Sequence, residues 1–213
     1  MVDDDSEAVK RRETIVVVSG LPRSGTSMLM QMLEAAGLPI LQDGLRAGDA
    51  SNPRGYYEFD PVKRIRSDNS FLAEATGHAV KIVAPLLPAL PPDFHYSVVF
   101  IERDLKAVLA SQSEMLARLG VSQEPAEDET LERAFEASLR TAKAWLADQE
   151  NVQACYVSHA EAVESPGHTA RAILDFLLTQ SAIPPSLVEE IRQDRNRVID
   201  RMSSVFDASL SHH

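Results

Sequence analysis

The run Gly20-Leu21-Pro22-Arg23-Ser24-Gly25-Thr26-Ser27 constrains this chain more than any other stretch. It follows Thr14-Ile15-Val16-Val17-Val18, whose β-branched residues read as a fully buried strand. It leads into Ser27 to Ala36, which has helical composition and stops at Gly37. A strand, a glycine-bounded loop and a helix make a phosphate cradle. The glycines let several backbone N–H groups turn inward, and the start of the helix adds unpaired donors and a partial positive charge.

The two glycines stand with four residues between them, the spacing of a Walker A loop, but Thr26 occupies the place where a nucleotide triphosphatase carries lysine. That lysine neutralises the β- and γ-phosphates, so its replacement argues against phosphoryl transfer from ATP. A cation is present nearby instead, because Arg23 lies inside the loop. Pro22-Arg23-Ser24-Gly25-Thr26-Ser27 resembles the 5′-phosphosulfate loop of the PAPS-dependent sulfotransferases, which reads Pro-Lys/Arg-Ser-Gly-Thr-Thr/Ser. The resemblance implies that Arg23, Ser24, Gly25, Thr26 and Ser27 bind the cofactor PAPS, whose product is PAP, without a metal.

Further matches follow downstream. Arg103 leaves a predicted strand and Ser111 lies eight residues on, in a predicted helix. In the same strand-to-helix setting, sulfotransferases bind the cofactor 3′-phosphate with an Arg/Ser pair, for which a forked, always charged donor and a hydroxyl are well suited. Taken alone, Arg103 is equally an ion-pair partner of Glu102 or Asp104. Lys81, in the apolar strand Ala79 to Val83, resembles a family lysine that neutralises the leaving phosphate; the residues alone also allow a snorkelling side chain. Cytosolic members place a catalytic histidine two positions after that lysine, and here Val83 stands there. A base must then come from elsewhere. The resemblance makes Glu58, in Asn52-Pro53-Arg54-Gly55-Tyr56-Tyr57-Glu58, the first candidate, since other branches of the family use a glutamate, with Asp60 second, while His78 and His95 read as surface or capping residues.

Alternating strands and helices with short links predict an α/β chain with a three-layer P-loop fold. Its central, mostly parallel sheet would be doubly wound and flanked by helices, with the site at the C-terminal strand ends. With 213 residues, one domain over residues 14–205 is expected, with a flexible arm at 1–13 and a flexible tail at 206–213. The expected helices cover Asp60 to Ala75, Leu105 to Leu119, Thr130 to Gln149, a segment from Ser165-Pro166, and Ser186 to Met202. Further strands are expected at Tyr96 to Ile101 and Val152 to Val157. Asp43 to Tyr57, Ala84 to Pro92 and the acidic Gly120 to Glu129 read as connections that would build an acceptor pocket. Arg192, Arg195, Arg197 and Arg201 fit a solvated helical face paired with Glu189, Glu190 and Asp194.

A net charge of -11 disfavours nucleic acid and anionic membranes as general partners, so local cations carry any anion recognition. The single cysteine, Cys155, excludes an intrachain disulfide and reads as a small core residue, and Trp145 reads as core. With no membrane-length apolar run, a cytoplasmic location and no stable membrane insertion are expected. The Ser211-His212-His213 end enters no metal reading, and no Cys/His metal pattern appears elsewhere.

Taken together, these features imply a sulfotransferase moving sulfonate from PAPS to a hydroxyl or amine of a small-molecule, lipid or carbohydrate acceptor. Glu58, Lys81 and Arg23 would be catalytic. Two other readings share the loop: a non-catalytic PAP or PAPS binding protein, and a small P-loop kinase with Glu102 as its metal-binding acid.

Overall fold

The computed structural model describes residues 14–44, 55–118, 120 and 125–210. The expected N-terminal arm lies outside them, as do most of the turn residues between Asp43 and Tyr57. Four strands form one parallel sheet: β1 (Thr14–Ser19), β2 (Ala79–Lys81), β3 (His95–Glu102) and β4 (Val152–Ser158), in the order β2-β1-β3-β4. Every residue of β1 is buried, as its unbroken β-branched run requires of a strand covered on both faces.

Helices α1 (Thr26–Ala36), α2 (Leu72–Ala75), α3 (Leu105–Arg118), α4 (Pro125–Asp148), α5 (His159–Glu164), α6 (Pro166–Thr179) and α7 (Pro185–Leu210) complete the layers. Alternate strand residues feed two cores. Val16, Val18, Val99 and Ile101 pack with α1, α6 and α7, whereas Ile15, Val17, Val98 and Phe100 pack with α2, α4 and the 3-10 turn at Ala84–Ala89. Each fully buried valine contributes about 1.5–3 kcal/mol relative to an exposed one. The chain leaves β1 for β2 on one side and then crosses to β3 on the other. This reversal opens a crevice at the C-terminal ends of β1 and β3, where parallel α/β sheets bind ligands.

The expected helix from Asp60 to Ala75 is broken. A 3-10 turn occupies Asp60–Arg64 and only α2 is helical beyond it. The Asp68 carboxylate accepts both the Ser70 N–H, at 3.1 Å, and the Ser70 hydroxyl, at 2.7 Å, a local turn that competes with helix hydrogen bonding. Strand β2 ends at Lys81 rather than Val83, although Ile82 and Ala84 still donate to the Val18 and Gly20 carbonyls at 3.0 and 2.9 Å. The acidic stretch expected as a loop to Glu129 is helical from Pro125, because proline suits the first turn and acids suit a helix N-terminus.

Helix α7 runs beyond Met202 to Leu210, and Phe206, expected in the tail, packs in the core. It is interrupted at Asp194 (φ −153°, ψ 84°), whose carboxylate accepts the Arg197 N–H at 3.0 Å and so starts the second half as a cap does. Trp145 packs with the α4-side core, and Cys155 is half-buried on the edge strand β4 with its thiol pKa raised by burial.

Candidate functional site

Gly20 and Gly25 shape the loop between β1 and α1 for steric reasons. A Cβ on Gly20 (φ +151°) would stand 2.7 Å from the Ile101 carbonyl oxygen. On Gly25 (φ +106°) it would stand 2.9 Å from the His159 ring and 3.0 Å from Ile101 Cδ1. Ser24 closes the turn from within, donating its N–H to the Leu21 carbonyl at 3.1 Å and its hydroxyl at 2.7 Å. Its side chain therefore serves the loop's shape.

Helix α1 has no side-chain cap and no acid in its first turn. Its first ladder bond to the capping glycine is Leu29 N–H to Gly25 O at 3.2 Å, which leaves the N–H groups of Thr26, Ser27 and Met28 without helical partners. An uncapped helix start of this kind accepts an anion. The Thr26 side chain itself is buried.

Two arginines border this helix start. Arg103, just past β3, donates from Nη1 to the Arg23 carbonyl at 2.9 Å, and Arg23 donates from Nε to Ser111 Oγ at 3.2 Å. Loop, strand exit and α3 are thus joined through the residues expected to hold phosphate. Burial first, and then the charge of Arg23, pushes the Arg103 pKa down, with Asp104 acting in the opposite sense. Among the described residues no carboxylate lies within ion-pair distance of either guanidinium. An anion entering here would relieve the repulsion between them.

A second group meets at the end of β2. Lys81 is 8% exposed and donates to the Tyr56 carbonyl, which also accepts the Ser27 hydroxyl at 3.3 Å. Glu58 Oε1 lies 3.9 Å from Lys81 Nζ. Tyr57 holds this segment to α1 by donating its hydroxyl to Glu34 Oε2 at 2.5 Å, from a left-handed backbone (φ +51°). Lysine, serine and glutamate thereby converge beside the start of α1. Asp60 points elsewhere: its carboxylate pairs with Lys63 at 3.1 Å and its N–H donates to Asp43 Oδ2 at 2.5 Å.

Other candidates lie apart. Glu102 forms an ion pair with Lys143 of α4. His78 and His95 sit at the opposite, N-terminal end of the sheet, before β2 and at the first position of β3. Arg195 pairs with Asp175, and Arg201 binds both Glu190 oxygens, at 2.7 and 3.1 Å, and the Ala36 carbonyl, at 3.1 Å. These two arginines serve helix packing, Arg201 at the far end of α1. Among the described residues no cluster of His, Cys, Asp and Glu could hold a metal ion, and no helix is long and apolar enough to cross a membrane.

One residue at the crevice went unnoticed in the sequence. His159 follows β4 directly and lies against Gly25. Burial, and then the charge of Arg103, pushes its pKa below the ordinary histidine value. The available signal was positional: in a parallel sheet β4 must end at the same rim as β1 and β3, and His159 is the first titratable residue beyond it.

No model of a known family matches the chain, and no curated protein is similar to it. Among solved structures, a sulfotransferase from Alicyclobacillus acidocaldarius is similar at 14% identity and a TM-score of 0.46, with 91% of this chain and 96% of that chain covered. An uncharacterized protein from Eubacterium ventriosum is similar at 14% identity and a TM-score of 0.35, covering 79% of this chain and 99% of that one. Likeness at this level says nothing about chemistry.

Proposed function

We propose that the chain is a PAPS-dependent sulfotransferase acting on a hydroxyl or amine acceptor. The observation that carries this reading is the linked trio Arg103, Arg23 and Ser111 at an uncapped helix start, with Lys81 and Glu58 beside it. These residues fit the donor, because the helix start has free amides, no acid in its first turn and two guanidiniums without carboxylate partners among the described residues. Arg23 and the first amides of α1 hold the phosphosulfate end, and Arg103 with Ser111 holds the 3′-phosphate.

The transferred sulfonate is close to neutral sulfur trioxide in transit, so fixed cations suffice where phosphoryl transfer needs magnesium. Glu58 accepts the proton of the acceptor hydroxyl or amine as its oxygen or nitrogen bonds to sulfur. Lys81 exchanges the Tyr56 carbonyl for the phosphate oxygen freed when the sulfur–oxygen bond breaks, and stabilises its charge. Holding both partners in line supplies much of the remaining acceleration.

The test is PAP formation from PAPS across a panel of phenol, amine, lipid and carbohydrate acceptors. Glu58→Gln is expected to lower turnover by about 10²–10⁴-fold with PAP affinity unchanged. Turnover equal to the parent protein's would remove Glu58 from the mechanism. A non-catalytic PAP binder is the second reading, favoured by Val83 in the histidine position and by a Lys81 ammonium occupied by a backbone carbonyl. Against a kinase stand Thr26 in place of the loop lysine and Glu102 engaged with Lys143.

A further inference from the structure

The site as proposed uses Arg23, Arg103, Lys81 and Glu58, and leaves one titratable side chain in the same crevice without a task. His159 opens α5, half-buried, with its ring against Gly25 where α1 begins. Met28 of α1 and Ile101 of β3 approach the same point on Gly25. Among the described residues neither ring nitrogen has a hydrogen-bond partner.

The one charge that bears on the ring is positive. Arg103, from the β3 exit, bears on the ring, and Arg23 is tied to Arg103 through its carbonyl. The acids nearest in the chain are engaged elsewhere: Glu102 at the end of β3 with Lys143, Asp104 with the Ala107 N–H at 3.0 Å and the Arg103 charge, and Glu161 of α5 with His168 of α6 at 2.8 Å. An imidazole that feels the Arg103 charge and lies against an uncapped helix start therefore meets positive potential from these two neighbours.

We propose that His159 is a further anion-binding residue of this site, taking up a proton as a phosphate or sulfate group docks at the start of α1 and donating a hydrogen bond to it. The proposal rests on the anion-binding part of the function proposed above. In the free protein, burial and Arg103 both hold the ring neutral. A docked anion reverses the local potential and favours imidazolium, with the proton drawn from solvent. Anion affinity then rises as pH falls. Each unit by which the pKa climbs on binding gives about a tenfold gain in affinity below the free-protein pKa.

The experiment follows the histidine ring protons by NMR in the full chain, free and with PAP or sodium sulfate, the His159 signal being assigned with His159→Gln, or His159→Asn should the first variant fold poorly. Calorimetry then measures both ligands from about pH 8 to about pH 5.5, where sulfate remains a dianion and the titration of PAP's own phosphates is common to parent and variant. The expected result is a His159 pKa raised by about one unit by either ligand, with about tenfold more affinity gained at low pH by the parent than by the variant. A pKa that stays put or falls on ligand binding, or equal pH slopes in parent and variant, overturns the proposal while leaving the Arg103-dependent site standing. A sulfate response without PAP binding supports His159 and sinks the PAPS reading. Binding of neither ligand at any pH defeats both.

Discussion

Gly37 and Gly20, both with positive φ, separate backbone demand from steric demand. Gly37 (φ +94°) ends α1 with open space around a would-be Cβ, so Gly37→Ala is expected to cost about 1–2 kcal/mol for the left-handed backbone alone. PAP affinity should not change. Gly20→Ala adds a 2.7 Å approach to the Ile101 carbonyl, which belongs to a buried strand and cannot yield. Urea unfolding should show a larger loss than for Gly37→Ala, and PAP binding should weaken with it. Equal losses at the two positions would mean that Gly20 is kept for its φ alone. Arg103→Ala removes a charged donor and is expected to weaken PAP binding by about 10–100-fold.

His159 supplies a pH prediction with a definite sign. Its pKa is lowered in the free folded protein, so below the ordinary histidine value the unfolded chain binds a proton that the folded chain resists. This residue therefore costs stability as pH falls through that range. The unliganded His159→Gln variant should lose less midpoint temperature between about pH 7 and pH 5.5 than the parent; an identical loss would show that the ring is not held neutral.

At the scale of elements, α1 is governed at both ends. Its start is open to an anion, and its end is closed by Gly37 N–H to Glu34 O at 2.9 Å, by Leu38 N–H to Leu33 O at 3.0 Å, and by Arg201 reaching from α7 to the Ala36 carbonyl. The Glu190 carboxyl is held below the usual carboxylate range, first by the Arg201 hydrogen bond, so its contribution exists above that range and is lost as pH falls through the lowered value. Arg201→Met should lower the unfolding midpoint at neutral pH, blunt the acid-side loss and leave PAP affinity intact. A large affinity loss would place α7 in the ligand site.

Strand, loop and α1 were legible because glycine punctuation and β-branched composition are local signals. The helix expected over Asp60 to Ala75 failed because one carboxylate, Asp68, outcompetes the ladder at Ser70. Lys81 and Glu58 were legible as candidates, whereas their meeting was not: Lys81 reaches the Tyr56 carbonyl, 25 residues away in the chain, and lies beside Glu58. His159 carried no motif at all and reaches Gly25 only through the pairing of β4 with β3.

The whole molecule sets a cationic crevice inside a chain of net charge -11. The crevice lies where β1 and β3 part company in the winding, so the first and third strands deliver their loops to one place. Long-range repulsion of an anionic ligand by the remaining surface is screened by salt over about 8 Å at 0.15 M, whereas the part-buried contacts are screened much less. This crevice is proposed to bind PAP. That proposal is tested most directly by the unfolding midpoint with PAP, ATP plus magnesium, or neither, in the parent and in Arg103→Ala. At about a hundred times its Kd, PAP should raise the parent's midpoint by about 5–10 °C, with the rise lost in the variant. A rise with ATP plus magnesium and none with PAP would contradict the account.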